Sequence, residues 1–130
     1  MDTYLVSSAR SKWGQLVKKA HRNEVPFTLS QRHEPACVAA PHTWFERACR
    51  GLNPAPRLEE GFSSFDEQRM RLTVMVRSVI KDGTFISVSR MEETACVLVP
   101  IDWYHERVKE IGHPVGDEAN EPQDNQSART

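Results

Sequence analysis

The most constraining feature of this sequence is a fifteen-residue segment that occurs twice. Residues 30–44 read SQRHEPACVAAPHTW, and residues 89–103 read SRMEETACVLVPIDW. Seven of the fifteen positions are identical without a gap, including a Cys and a Trp, in a chain that holds three of each. Self-similarity at a fixed spacing indicates a duplicated structural unit. The sequence therefore predicts two copies of one small unit, displaced by 59 residues.

Length and composition favour a soluble globular protein with a modest core. The chain has 130 residues, of which 38% are hydrophobic and 27% are charged, and both shares are ordinary for such proteins. No apolar run is long enough to span a membrane, and no signal peptide is apparent. Cys37, Cys49 and Cys96 lack metal-ligand spacing. We therefore expect reduced thiols in a cytoplasmic protein without a membrane partner, a metal or a cofactor.

Charge is distributed unevenly along the chain. Residues 1–58 contain nine Lys or Arg and four acids, whereas residues 59–111 contain seven Lys or Arg and ten acids. Residues 112–130 contain one Arg and four acids. A basic first half is compatible with an anionic partner, while the net charge of −1 argues against indiscriminate coating of nucleic acid.

In the first copy, local patterns predict a strand, a helix, a hairpin and a closing helix. Residues 3–7 favour a strand, and Ser7 or Ser8 is a plausible N-cap. Apolar residues then recur on one helical face at Ala9, Trp13, Leu16, Val17 and Ala20. The hairpin is predicted at residues 27–30 and 36–40 around a turn at residues 31–35. Pro41 ends it and opens the closing helix.

The second copy repeats this plan. Ser64 and Glu67 have the spacing of a capping box, and an apolar helical face follows. Residues 85–89 and 95–99 predict the hairpin, and Pro100 precedes the closing helix. We divide the chain into a first unit at 1–52, a Pro- and Gly-rich linker at 53–61, a second unit at 62–111 and a disordered acidic tail at 112–130.

These residues resemble the Phd/YefM antitoxins of bacterial toxin–antitoxin modules. The matching pieces of the first unit are SSAR at the start of the helix, WGQL on its apolar face, EVPFTLSQRHEPACVAA as the hairpin and PHTWFERA as the closing helix. The second unit resembles the family only through the repeat, because its first helix lacks the SSAR start. The resemblance covers roughly residues 4–50 directly.

Since two such units lie in one chain, we predict two tandem β-α-β-β-α units that form an intramolecular pseudo-dimer around an antiparallel sheet, with the second unit in place of a partner subunit. The resemblance itself implies an α+β fold that dimerises through its N-terminal domain. It further implies binding to double-stranded operator DNA through the start of the first helix and nearby basic residues. Carried onto this chain, the DNA-contacting candidates are Ser7, Ser8, Arg10, Ser11 and Lys12, to which a position at the predicted hairpin tip adds Arg32 and the repeat adds Arg69 and Arg71. The last two are basic repeat-matched positions of the second unit, where Asp66 and Glu67 replace the two serines.

Two further readings stay open beside DNA binding. Arg10 and Lys12 can be explained as a solvated helix face, and the chain can act as an interaction module for a toxin or another protein. Further self-association of the chain also stays open. An enzyme is not expected, because no nucleophile elbow, glycine-rich phosphate loop or Cys/His pairing is visible from spacing. For Trp44 and Trp103, and for Cys37 and Cys96, we predict matched core positions instead of base-stacking or redox roles.

Overall fold

The computed structural model describes residues 1–32 and 34–117 and has an α+β fold built on one six-stranded sheet. The strands are β1 (Asp2–Leu5), β2 (Phe27–Gln31), β3 (Glu34–Pro41), β4 (Leu58–Glu60), β5 (Phe85–Arg90) and β6 (Glu93–Pro100). The helices are α1 (Val6–Ser11), α2 (Trp13–Asn23), α3 (His42–Cys49), α4 (Phe65–Met70), α5 (Leu72–Asp82) and α6 (Ile101–Ile111). No helix in these residues is both long and apolar enough to cross a membrane.

The strand order, β1-β2-β3-β6-β5-β4, places the two hairpins side by side with their second strands at the centre. Strands β3 and β6 pair antiparallel, and Ala39 lies opposite Leu98, its own repeat-matched residue. Cys37 pairs with Pro100 and Pro41 pairs with Cys96, so the register is symmetric about the Ala39–Leu98 pair. The outer strands β1 and β4 run parallel to their neighbours. The sheet is therefore mixed, whereas an antiparallel sheet was expected.

Backbone details recur at the 59-residue spacing. The register of each hairpin shifts once, after Leu29 in the first and after Val88 in the second. Helix α2 is followed by a left-handed residue at Glu24, and α5 by one at Gly83. The buried residues of α2 and α5 also match one for one, as Trp13, Leu16, Val17 and Ala20 against Leu72, Met75, Val76 and Val79. The same local structure therefore forms twice from largely different side chains.

Alternation along the central strands divides the core between the two faces of the sheet, because successive side chains of a strand point to opposite faces. Ala39 and Leu98 join the side chains of α2 and α5 in one cluster, while Val38 and Val97 join those of α3 and α6 in the other. Burying one such Val or Leu side chain stabilises the fold by about 2 kcal/mol. The sheet is thus covered by helices on both faces.

Of the matched aromatic and cysteine residues, Trp44, Cys37 and Cys96 lie in the interior as the repeat predicts, whereas Trp103 is half-buried beside Trp44. The rings of Trp44 and Trp103 meet edge to face at a centroid distance of 6.3 Å. Cys37 and Cys96 are fully buried and unbridged. Burial raises the pKa of both thiols to about 12, and for Cys96 the nearby Cys37 adds to the rise. Both thiols therefore behave as small apolar core residues.

Three local expectations differ from the structure. The first helix of each unit is broken, at Lys12 and at Arg71, so each unit reads β-α-α-β-β-α. The segment 53–61, expected to be an irregular linker, contains β4. Disorder was expected from Gly112, but Gly116 donates its backbone N–H to the Glu24 carbonyl at 3.0 Å, and Asp117 is buried. The rest of the acidic tail, 118–130, lies outside the described residues.

Candidate nucleic-acid interface

The first helix of unit one carries most of the predicted DNA-contacting side chains. Ser7, Ser8, Ser11 and Lys12 are exposed on or just after α1. The helix begins two or three residues earlier than expected, since its N-cap is Leu5 and no side chain caps it. The expectation that Ser7 or Ser8 caps the helix is therefore wrong, because both lie inside α1. Their hydroxyls belong to the helix surface, and that of Ser11 donates to the Ser8 carbonyl at 3.0 Å.

Lys12 occupies the break between α1 and α2. Its ammonium lies 5.6 Å from the centre of the Tyr4 ring, and its repeat match, Arg71, lies 5.9 Å from the centre of the Phe62 ring. Such contacts orient a cation without neutralising it. Both side chains are exposed, so each half presents one cation at its helix break.

Arg10 reaches across to the second half of the molecule. Its Nε donates to the carbonyl of Arg69, the repeat-matched residue, at 3.2 Å. Its Nη2 donates to the Thr73 hydroxyl. Both acceptors are neutral, and Arg10 has no carboxylate within ion-pair distance among residues 1–32 and 34–117. The guanidinium is therefore held in place while its charge stays uncompensated.

The matched surface of the second half differs in charge. Arg69 forms an ion pair with Asp66, which occupies the position matched to Ser7. Glu67 and Met70 replace Ser8 and Ser11, and Met70 is 74% exposed. Of the two arginines predicted here, only Arg71 keeps an unpaired charge in the described part of the chain. The predicted footprint is thus strongly unequal between the halves.

Arg32 lies at the turn of the first hairpin, with a left-handed backbone (φ 50°), and its side chain is exposed. It lines a cleft of about 900 Å³ between the first hairpin and α5, and Ser7 and Arg10 line the same cleft. Ser8, Ser11, Lys12, Arg69 and Arg71 do not contribute to its walls. The structure therefore brings three of the eight predicted residues into one concave site.

Two cations of this cleft were missed by sequence reasoning. Arg77 and Lys81 lie one turn apart on the exposed side of α5 and line the cleft opposite the first hairpin. Their spacing of four residues marks one helical face. The sequence gives no sign, however, that this face lies beside the hairpin of the other unit. Only the pairing of β3 with β6 brings these elements together.

The remaining titratable residues suggest no second centre. No group of three or more His, Cys, Asp or Glu side chains in the described ranges could hold a metal ion. Burial raises the pKa of the Cys49 thiol, and the nearby Arg107 opposes that shift. Burial also raises the pKa of Tyr4, with Asp2 adding to the rise.

Comparison of the chain with family models, with curated proteins and with solved structures finds no significant match.

Proposed function

We propose that this chain is a DNA-binding transcriptional regulator of the Phd/YefM antitoxin type. It binds double-stranded operator DNA in the bacterial cytoplasm and represses its own operon. The observation that carries the proposal is the set of cations on the first half: Arg10, Lys12 and Arg32 have no carboxylate partner among the described residues. Uncompensated cations beside exposed hydroxyls are what a phosphate backbone requires.

The duplicated halves are proposed to be two Phd/YefM-like units that form an intramolecular pseudo-dimer. Contacts between repeat-matched residues support a rotation axis between them, since a residue touches its own image only near such an axis. Arg10 contacts Arg69, Arg107 donates to the Ala48 carbonyl at 3.0 Å, and Trp44 contacts Trp103. The short connection between the halves gives each a high effective concentration for the other.

Side chains at the interface support pairing of unlike halves. The indole N–H of Trp13 donates to Oε1 of Gln68 at 2.7 Å, and both residues are fully buried. Their repeat-matched residues, Leu72 and Ala9, are apolar. Two first units would place Trp13 against Ala9 and leave the indole without an acceptor, and two second units would place Gln68 against Leu72. Buried polar groups without partners are costly, so both like-with-like pairings are disfavoured.

The pseudo-dimer is tested by sedimentation of the full chain over a wide concentration range. We expect a monomer throughout, because each half already has its partner. A dimer that dissociates only together with unfolding would contradict this arrangement.

Unequal halves imply an unequal operator. Since the acids of the second half repel phosphate, the proposed operator is an imperfect inverted repeat whose stronger half-site faces the first unit.

DNA binding is tested by fluorescence anisotropy with the upstream intergenic DNA at two salt concentrations. Arg10→Ala and Lys12→Ala should each weaken binding by about tenfold, and Lys12→Ala should reduce the salt slope by about one, as expected for a lost phosphate contact. Lys109→Ala is the control, since Lys109 is exposed on α6 and lies on the opposite face. Thermal unfolding of Arg10→Ala checks that the variant is folded. Equal effects of Lys12→Ala and Lys109→Ala would remove the argument for this surface.

A second candidate function is binding of a protein, such as a toxin, with weak or no DNA binding. The observation that favours it is the surface of the second half, where Met70 and Val74 are 74% and 57% exposed beside Glu67. Exposed apolar residues with an acidic neighbour suit a protein partner better than a phosphate backbone. Loss of DNA binding at all salt concentrations, with retention of a protein partner, would favour this candidate.

A further inference from the structure

The cleft between the first hairpin and α5 combines a cationic rim with apolar walls. We call it the large cleft. Its volume of about 900 Å³ lies within the range of small-molecule sites in proteins. Val6, Ile80 and Ile101 contribute apolar surface, and Arg10, Arg32 and Arg77 contribute charge. A site of this composition suits a ligand that is itself part anionic and part apolar.

The charge of the large cleft is not balanced within it. Four cations line it, the fourth being Lys81, against two acids, Glu34 and Asp102. None of the four cations forms an ion pair with any carboxylate in the described ranges, 1–32 and 34–117. Among the described residues, the lining of the cleft therefore has an excess of two positive charges, which matches a dianionic head group.

Arg10 is the cation best prepared for such a head group. Its contacts with the Arg69 carbonyl and the Thr73 hydroxyl fix the guanidinium at the cleft wall without neutralising it. A planar guanidinium presents several donors at once, and its immobilisation before binding lowers the entropic cost of forming those bonds. Serine hydroxyls at Ser7 and Ser30 line the cleft as further donors.

The duplication supplies an internal control, because a second, smaller cleft occupies the repeat-matched place. Its volume is about 310 Å³, and its lining residues are His21, His42, Thr43, Glu93, Thr94 and Ala95. These match Ile80, Ile101, Asp102, Glu34, Pro35 and Ala36 of the large cleft.

The small cleft has lost the features that suit an anion. His21 and Glu93 both line the small cleft, and a carboxylate oxygen of Glu93 lies 3.7 Å from Nε2 of His21. The position matched to Arg32 is Met91, and the residue matched to Arg10, Arg69, is paired with Asp66. The same backbone therefore carries one cleft lined by four cationic side chains and one smaller cleft lined by no Lys or Arg among the described residues.

We propose that the large cleft binds a small organic dianion with an apolar body, of the phosphate monoester class. Arg10, Arg32 and Arg77 hold the phosphate group. The apolar body lies against Val6, Ile80 and Ile101. Binding of the anion follows from the residues of the cleft and does not require the proposed function. The effect of the anion on operator binding rests on the proposed function. Since Arg10 and Arg32 serve both ligands, the anion and the operator compete, and the anion acts as an inducer.

The experiment is titration calorimetry on the full chain with phenyl phosphate, without DNA. Phenyl phosphate should bind at least tenfold more tightly than inorganic phosphate, which lacks the apolar body, while phenol should show no measurable binding. Removal of one charge-assisted contact by Arg77→Gln should weaken phenyl phosphate binding by about tenfold. Lys18→Gln is the matched control, because Lys18 holds the repeat-matched position outside the large cleft, and it should leave binding within about twofold of the parent chain.

Two results would overturn the proposal. Equal binding of inorganic phosphate and phenyl phosphate would show that the apolar walls take no part, and equal effects of Arg77→Gln and Lys18→Gln would show a general electrostatic effect. Arg77 and Lys18 are both exposed, so neither variant is expected to unfold, and thermal unfolding checks this. The titration contains no DNA, so a failure of phenyl phosphate to bind would overturn the cleft proposal without affecting the operator proposal. A failure of operator binding would likewise leave the anion proposal unaffected.

Discussion

The two halves of this molecule share their interior and differ on their surface. Strand registers, helix breaks and left-handed residues recur at the same spacing, and the buried positions of α2 and α5 correspond one for one. Several exposed positions differ: Ser8, Ser11 and Gln15 of the first half are matched by Glu67, Met70 and Val74 in the second. Packing constrains the core of a repeat more tightly than its solvent face. The difference indicates that the two halves share one framework but have different binding surfaces.

The largest expected effect tests whether the interior is truly shared. Burial disfavours the thiolate, so the pKa of Cys37 and of Cys96 is raised to about 12, and only about one thiol in ten thousand is ionised at pH 8. Alkylation of both should be very slow in the folded protein and rise about tenfold per pH unit while the fold persists. Half-buried Cys49 should react first. Mass spectrometry of iodoacetamide-treated protein measures the order in which the three cysteines are alkylated. Unequal protection of Cys37 and Cys96 would show that the two halves do not share the same interior.

The next effect concerns the buried polar pair Trp13–Gln68, which distinguishes the halves at their interface. Gln68 accepts from Trp13 and donates to the carbonyls of Phe62 and Ser89 at 2.6 and 2.9 Å. Gln68→Ala leaves these three groups without their partner, which should lower the free energy of unfolding by about 3 kcal/mol. Urea denaturation measures the change.

The neighbouring variant Glu67→Ala is the control for Gln68→Ala. Glu67 is exposed, so its removal should change the free energy of unfolding by no more than about 0.5 kcal/mol. A loss below about 1 kcal/mol for Gln68→Ala would mean that the interface does not depend on this pair.

The smallest expected effect tests whether the acidic residues on the surface of the second half weaken DNA binding. Replacing Asp66 and Glu67 by serine restores the residues of the first half and frees Arg69 from its ion pair. Operator affinity should rise about fivefold, because two like charges no longer oppose the phosphate backbone. Glu106→Ser with Glu110→Ser, on α6, is the matched control, and both of its glutamates are exposed. An equal gain from both pairs would attribute the effect to net charge instead of position.

Much of the framework is predictable because it depends on local patterns. The spacing of Trp13, Leu16, Val17 and Ala20 predicts the buried face of α2, and all four are buried. The N-cap predicted at Ser64 is confirmed, since its side chain accepts the Glu67 N–H at 3.1 Å. Each of these features is decided within one or two turns of chain, so the sequence contains the necessary information.

Other features depend on partners distant in the sequence. Strand β4 is three residues of an apparently irregular segment, Leu58–Glu60, and exists because β5 offers it an edge. Gln68 appears polar and solvated in sequence, yet it is fully buried because Trp13 of the other half supplies a donor. The docking of Gly116 also depends on a distant contact: a Cβ there would lie 2.5 Å from the Asn23 carbonyl oxygen.

The sequence by itself determined the duplication, the presence of one hairpin in each half and the matched interior, because each follows from short-range periodicity repeated at a constant spacing. Only the tertiary structure decided that Arg10, Arg32, Arg77 and Lys81 line one cleft and that its repeat-matched counterpart is smaller and lined by no Lys or Arg among the described residues. The physical reason is the pairing of β3 with β6, which sets the hairpin of one half beside a helix of the other. Charges from the two halves, which are 45 or more residues apart in the sequence (Arg32 to Arg77), then line the same cleft, and no local pattern encodes that proximity.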